Sequence, residues 1–214
     1  MIISSHGQLD YLFFDFDGVI ANSVEAKIGV FVEAFATIGL KGTNIEISLA
    51  QTTSLSRRDR ILLALETIDK LSYDEGVVLK IDSLIKHSFS RMIFPLVEGV
   101  DLFFKRQGTS FRSVIISSAE PVSALSTLRY WGLAEFFERF YFDVPSKFEL
   151  FTKLKDDIDT EIIVSVGDTN NDALVAQNSG IPYWHIGNEP PLNLASVGWS
   201  RDFHAFEEFA AKHV

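Results

Sequence analysis

The chain has no cysteine among its 214 residues, which excludes disulfides and thiolate metal sites and makes a reducing cytoplasm the default compartment. Positive charge is also scarce: 19 Lys and Arg stand against 29 Asp and Glu, a formal net charge of −10. Nucleic-acid backbones are gripped by clustered Lys and Arg, so no nucleic-acid partner is expected. A small anionic substrate in a locally cationic pocket remains compatible with that charge. No stretch approaches the roughly 18 apolar residues of a spanning helix, and residues 1–8 carry neither a basic segment nor a long apolar run, so no membrane partner is expected. Internal repeats and low-complexity linkers are missing as well. The five histidines, His6, His87, His185, His204 and His213, show no metal-ligand spacing and read as ordinary surface or partly buried residues. Apolar material, in contrast, is plentiful. Hydrophobic residues make up 47% of the chain and 19 are Phe, enough for the core of one large or two small domains.

The most informative segment runs from Tyr11 to Ile20, an apolar stretch ending in Asp15, Phe16, Asp17 and Gly18. Side chains two apart on an extended segment project to one side, which brings Asp15 and Asp17 together at the mouth of a buried strand. Two adjacent carboxylates repel, and burial makes keeping both ionised harder still. Such a pair points to a hard metal ion, a shared proton or a division into nucleophile and acid, although Asp followed by Gly is also a common turn signal. A second cluster follows another apolar strand, Glu161 to Val166: Gly167, Asp168, Thr169, Asn170, Asn171 and Asp172 lead into a helical pattern ending near Gly180. Ligands of open α/β sheets sit beyond the carboxyl ends of the strands, so Asp15, Asp17, Asp168 and Asp172 are expected to share one pocket. That much negative charge calls for a cation.

Two further segments end in polar groups. Arg112 to Ile116 reads as a strand delivering Ser117 and Ser118, with a helix from Pro121 to Arg129 behind it. Phe140 to Val144 leads through Pro145 and Ser146 to Lys147, which opens a helical run from Phe148 to Asp156. The helix dipole disfavours a cation at that end, which argues for a task elsewhere. Between the first strand and the rest, the periodicity turns helical. Ser23 to Ile38, Ser56 to Leu71 and a segment opened by Ser72, Tyr73, Asp74 and Glu75 and running toward Phe94 predict three helices, and Pro95 ends the last.

With these four segments in order, the chain resembles the haloacid dehalogenase-like (HAD) superfamily, in the group with a helical cap, as in phosphoglycolate phosphatase-like and β-phosphoglucomutase-like proteins. The resemblance implies an α/β fold, a Rossmann-like, mainly parallel, doubly wound sheet, with residues 1–21 and 98–214 as core and 22–97 as an inserted helical cap. It implies a Mg2+-dependent phosphatase of a small phosphorylated metabolite, acting through an aspartyl-phosphate as a monomer or homodimer. Asp15 is then the nucleophile and Asp17 the acid and base. Asp15, the Asp17 carbonyl, Asp168 and Asp172 form the metal set, a choice of oxygen ligands that suits Mg2+. Lys147, Ser118 and the backbone near Ala119 would hold the phosphoryl group, with Ser117 the less favoured partner by strand alternation. In the cap, Arg57 and, second, Lys27 are candidates for substrate contact. The alternatives are a phosphomutase, weakened because Lys27 stands where those relatives tend to carry His, and a binding module without turnover. Phe148 replaces a frequent Pro and Asn22 a frequent Asp, while the presence of Asp17 argues against dehalogenation.

Overall fold

In the computed structural model, residues 9–52, 55–68, 74–107, 110–158, 162–192 and 195–213 are described. They divide into two compact units, residues 1–22 with 93–214 and residues 23–92.

The larger unit is a six-stranded, all-parallel sheet. Its strands are β1 (Tyr11–Phe14), β2 (Arg112–Ile116), β3 (Phe137–Tyr141), β4 (Ile163–Gly167), β5 (Tyr183–Ile186) and β6 (Gly198–Ser200), in the spatial order β3, β2, β1, β4, β5, β6. β1 lies in the interior of the sheet, with Tyr11 opposite Arg112 on one side and Ile163 on the other. A strand covered on both faces reads as a continuous apolar run rather than an alternation, and Tyr11, Leu12, Phe13 and Phe14 are all buried. Phe13 meets Phe151 edge-on, in a cluster that includes Leu154, Ala173 and Ala176. Phe14, one residue on, faces Phe103, Phe104, Phe203 and Phe206. Those partners belong to four helices, α5 (Val100–Gln107), α7 (Lys147–Asp157), α8 (Asn170–Asn178) and α9 (Phe203–Ala211), so helices cover both faces, in a doubly wound fold. Each buried Phe contributes about 1.5–3 kcal/mol, which is where much of the Phe content is spent. A further helix, α6 (Pro121–Tyr130), is capped by Glu120, whose carboxylate accepts from the Val122 and Ser123 amides.

The smaller unit is helical: α1 (Val24–Thr37), α2 (Thr43–Gln51), α3 (Arg57–Glu66) and α4 (Glu75–Phe89), packed around Phe31, Phe35, Leu49, Ile61, Leu65, Ile81 and Ile85. α2 has no counterpart in the sequence reading, because Thr43, Asn44, Ile45, Ile47 and Ser48 are mediocre helix formers whose helicity comes from burying Ile45 and Leu49. α3 ends at Glu66 rather than Leu71, which lies outside the described residues. Ser72 and Tyr73 lie outside them too, and the cap of α4 is Asp74, accepting from the Gly76 amide.

The unit boundary falls after Met92 instead of Val97 because residues 94–97 hydrogen-bond into the α/β unit. The Asn22 amide donates to the Pro95 carbonyl (2.8 Å) and the Val97 amide to the Ile20 carbonyl (3.0 Å). Thr127 Oγ1 accepts from the Phe94 amide and Trp131 Nε1 donates to the Phe94 carbonyl. No described helix is long and apolar enough to cross a membrane.

Candidate active site

Parallel strands all end on the same side of the sheet, so β1 and β4, paired directly, deliver their following residues together. The Asp15 amide donates to the Val166 carbonyl (2.9 Å), continuing the pairing one residue past β1. The chain then curls back, with the Ile20 and Ala21 amides on the Phe16 carbonyl and the Gly18 amide on the Ala21 carbonyl. Gly18 has φ +75°, and a Cβ there would collide with the Asp168 carboxylate. Both the left-handed backbone and the contact require glycine.

Three carboxylates converge: Asp15, Asp168 and Asp172 each offer an oxygen within 4.8 Å of the others. Lys147 joins two of them, with Nζ 2.9 Å from Asp15 Oδ2 and 2.7 Å from Asp172 Oδ1. Its placement at the first turn of α7 costs dipole energy that two buried anions at hydrogen-bonding distance outweigh. Ser146 caps that helix separately by accepting from the Glu149 amide. Asp172 is the most enclosed of the acids, 5% exposed. Its Oδ2 accepts from the Thr169 hydroxyl (2.6 Å) and amide (3.2 Å), while its own amide donates to Thr169 Oγ1, forming a reciprocal capping box at the start of α8.

Protonation follows from this geometry. For Asp15, burial pushes the carboxyl up, Lys147 pulls it down, and with the Asp172 charge the net is upward. For Asp168, burial and the Asp15 and Asp172 charges push the carboxyl well above the ordinary range against a weaker pull from Lys147. Asp172 goes the other way. Burial raises it, but Lys147 and Thr169 outweigh burial and hold it below the usual range. Burial alone would lower Lys147, yet Asp15 and Asp172 raise it on balance, so it stays charged at any physiological pH.

Lys147 therefore compensates Asp15 and Asp172 and leaves Asp168 poorly compensated, which is a measurable fault. A carboxyl raised in the fold contributes stability below its ordinary pKa of about 4 and loses it as pH rises through the folded value. Metal-free protein is expected to lose stability through Asp168 as pH climbs from about 4 toward neutrality. Asp168→Asn should flatten that slope and raise the melting midpoint in EDTA at pH 7 by about 2–4 °C, the shift that ~1 kcal/mol produces at this chain length. Thermal melts across pH would check this, and a variant no more stable than the parent would mean that Asp168 is not strained.

The other expected residues sit as follows. Asp17 is half-buried at the curl beside Gly18, and its charge bears on Asp168. Ser117 is buried, accepts from the Ala119 amide and hydrogen-bonds the Asp15 carboxylate, whereas Ser118 is exposed. Alternation favoured Ser118, but β2 ends at Ile116 and a side-chain-to-backbone turn turns Ser117 inward. In the helical unit, Arg57 Nε is 2.6 Å from Asp82 Oδ1, and Lys86 holds the other Asp82 oxygen at 2.8 Å. Arg58 forms a two-pronged pair with Glu75, and Arg60 is buried over the Phe31 ring. Lys27 Nζ lies 5.4 Å from the centre of the Phe89 ring. Sequence reasoning missed Thr169, although Thr, two residues, then Asp is a readable cap signal. It also missed Tyr183 and His185, both buried on β5, for which the sequence carries no signal beyond an apolar strand.

The haloacid dehalogenase-like hydrolase family model matches residues 12–186. The chain belongs to this family. The solved structures it resembles include a predicted phosphoglycolate phosphatase from Haemophilus somnus 129pt, with TM-score 0.78, 15% identity and coverage of 94% of this chain and 98% of that one. A β-phosphoglucomutase from Clostridium difficile gives 0.72 and 14%, covering 96% and 97%. The candidate HAD-hydrolase YfnB from Bacillus subtilis, bound to magnesium, gives 0.69 and 15%, covering 95% and 99%. At these identities the likeness is one of fold. No protein of curated function matches. As a HAD-like hydrolase, the chain carries its acidic cluster at the strand ends where open α/β folds bind ligands.

Proposed function

We propose that this HAD-like hydrolase is a Mg2+-dependent phosphatase of a small phosphomonoester, such as a sugar phosphate, working through an aspartyl-phosphate on Asp15. The observation that carries the reading is the Lys147 bridge between Asp15 and Asp172 beside the poorly compensated Asp168. A charge deficit enclosed by oxygen ligands alone fits a hard divalent cation, and Asp15, Asp168, Asp172 and the Asp17 carbonyl are the groups that would hold it. When bound, Mg2+ supplies positive charge at the phosphoryl oxygens.

The remaining roles belong to the chain. Asp15 attacks phosphorus, its carboxylate oriented by the Phe16 amide on Oδ1 (2.7 Å) and Lys147 on Oδ2. Asp17 gives a proton to the leaving oxygen, then takes one from the water that opens the acyl phosphate. Lys147 offsets charge on the nucleophile and the transferred group, with Ser118, the Ala119 amide and the adjoining Ser117 facing the other oxygens. Arg57 and Lys27 are the candidates for the leaving group, and Arg57 would exchange Asp82 for substrate.

Hydrolysis of p-nitrophenyl phosphate tests the reading. Turnover is expected with Mg2+, abolished by EDTA, restored by excess Mg2+ and inhibited by Ca2+, whose looser and higher coordination misplaces the nucleophile. Full activity in excess EDTA would remove the metal from the reaction. A strict need for a sugar bisphosphate would favour a phosphomutase.

A further inference from the structure

Behind the acidic cluster, β5 places two polar side chains where its neighbours in sequence are apolar. Tyr183 and His185 share one face of the strand, two residues apart, and are 2% and 5% exposed. The Tyr183 hydroxyl lies 2.9 Å from His185 Nδ1 and donates to the Thr169 carbonyl at 3.3 Å. A phenol carries one proton. When that proton goes to Thr169, the phenolic oxygen accepts from His185, whose Nδ1 then carries the hydrogen.

Thr169 is the residue that holds Asp172, by amide and hydroxyl on a single oxygen. Asp172 holds Lys147, and Lys147 holds Asp15. We infer that Tyr183, oriented by His185, is a positioning residue that fixes the 168–172 turn and through it the location of Lys147 and the metal-facing carboxylates. Burying a phenol and an imidazole under a sheet costs free energy unless both are satisfied, and an apolar pair would fill the strand more simply. The polar pair is explained if the turn must be held from beneath, because its upper side has to stay open to substrate. Outer groups of this kind govern metal affinity by orienting the ligands.

This inference rests on the reading of the acidic cluster as a Mg2+ phosphatase site, so the experiment includes one measurement independent of catalysis. Tyr183→Phe removes the hydroxyl and keeps the ring. It should speed hydrogen exchange at the 170–172 amides about tenfold, raise the Mg2+ concentration for half-saturation about three- to tenfold, measured by calorimetry and by activity, and lower kcat by a similar factor with KM for p-nitrophenyl phosphate little changed. His185→Leu should move all of these the same way. His185→Asn, which keeps a polar atom near the Nδ1 position, should recover most of the loss. A lowered melting temperature with unchanged exchange and unchanged Mg2+ half-saturation would make Tyr183 a packing residue only and overturn the inference. If the parent protein neither binds Mg2+ nor turns over, the phosphatase reading fails by itself and the exchange rates alone decide whether Tyr183 secures the turn.

Discussion

Asp15→Asn is expected to lower phosphatase turnover by at least about a thousandfold while leaving a folded protein. On the proposed mechanism, the substitution preserves shape but removes the attacking anion. Two neighbouring acids are already committed: Asp172 spends one oxygen on Lys147 and the other on Thr169, and Asp168 lies against Gly18. An amide oxygen can go on accepting from the Phe16 amide, as Asp15 Oδ1 does at 2.7 Å. Its NH2 then meets Lys147, donor against donor, and the lysine is left with Asp172. Folding should survive, because a carboxyl already pushed upward by burial loses little when replaced by a neutral isostere. Single-turnover assays beside a thermal melt would check both halves, and a variant with near-parental turnover would rule out Asp15 as nucleophile.

The second large effect belongs to Lys147. Its side chain is 12% exposed and sits between two acids. Lys147→Met retains much of the stem and removes the charge, leaving Asp15 and Asp172 buried without their cation. Removing one partner of a buried ion pair costs about 3–5 kcal/mol, and the loss should be largest in EDTA. Excess Mg2+ should recover part of it, since a ligand that binds only the folded state stabilises that state. The sign with pH is fixed by the raised lysine pKa: the stabilisation is present below its ordinary value of about 10.4 and disappears only in more alkaline solution. The cost should therefore be nearly constant from pH 6 to 9. Activity should fall by about 10²–10³, the usual effect of losing a preorganised charge at the reacting centre. Denaturant titrations with and without Mg2+ would measure the stability change, and a loss unaffected by Mg2+ would mean that Lys147 and the metal do not share one pool of negative charge.

What could be read from the sequence was whatever a local pattern encodes. β1 and β4 announce themselves as apolar runs ending in acids, and α1 as an amphipathic stretch closed by Gly39, whose φ is +86°. Lys147 stood out because a cation at a helix start contradicts the dipole, and its partners, Asp15 and Asp172, lie far away in sequence. The misreadings arose where tertiary contacts decide. α2 is helical because it buries Ile45 and Leu49, the unit boundary is set by hydrogen bonds from residues 94–97, and Ser117 points inward because its hydroxyl accepts from the Ala119 amide and meets the Asp15 carboxylate. The partners that the three arginines near 57–60 find in the fold, Asp82, Glu75 and the Phe31 ring, are likewise beyond what periodicity reports. Tyr183 and His185 were invisible for a similar reason. A strand pattern reports burial, and only the fold shows that the carbonyl of Thr169 lies above the hydroxyl.

The interior position of β1 also bears on how the chain is made. Tyr11 to Phe14 are made well before their two neighbours in the sheet, residues 112–115 and 163–166. Closing such wide loops comes late and slowly, whereas the helices between residues 24 and 89 depend on partners close by in sequence and can assemble during synthesis. Until those partners are made, the strand leading to Asp15 is a bare apolar ribbon with both edges unpaired, the kind of segment that invites association with other chains. The acids that follow it, Asp15 and Asp17, give that ribbon charge at one end. Charge at the end of such a strand opposes its pairing with copies of itself.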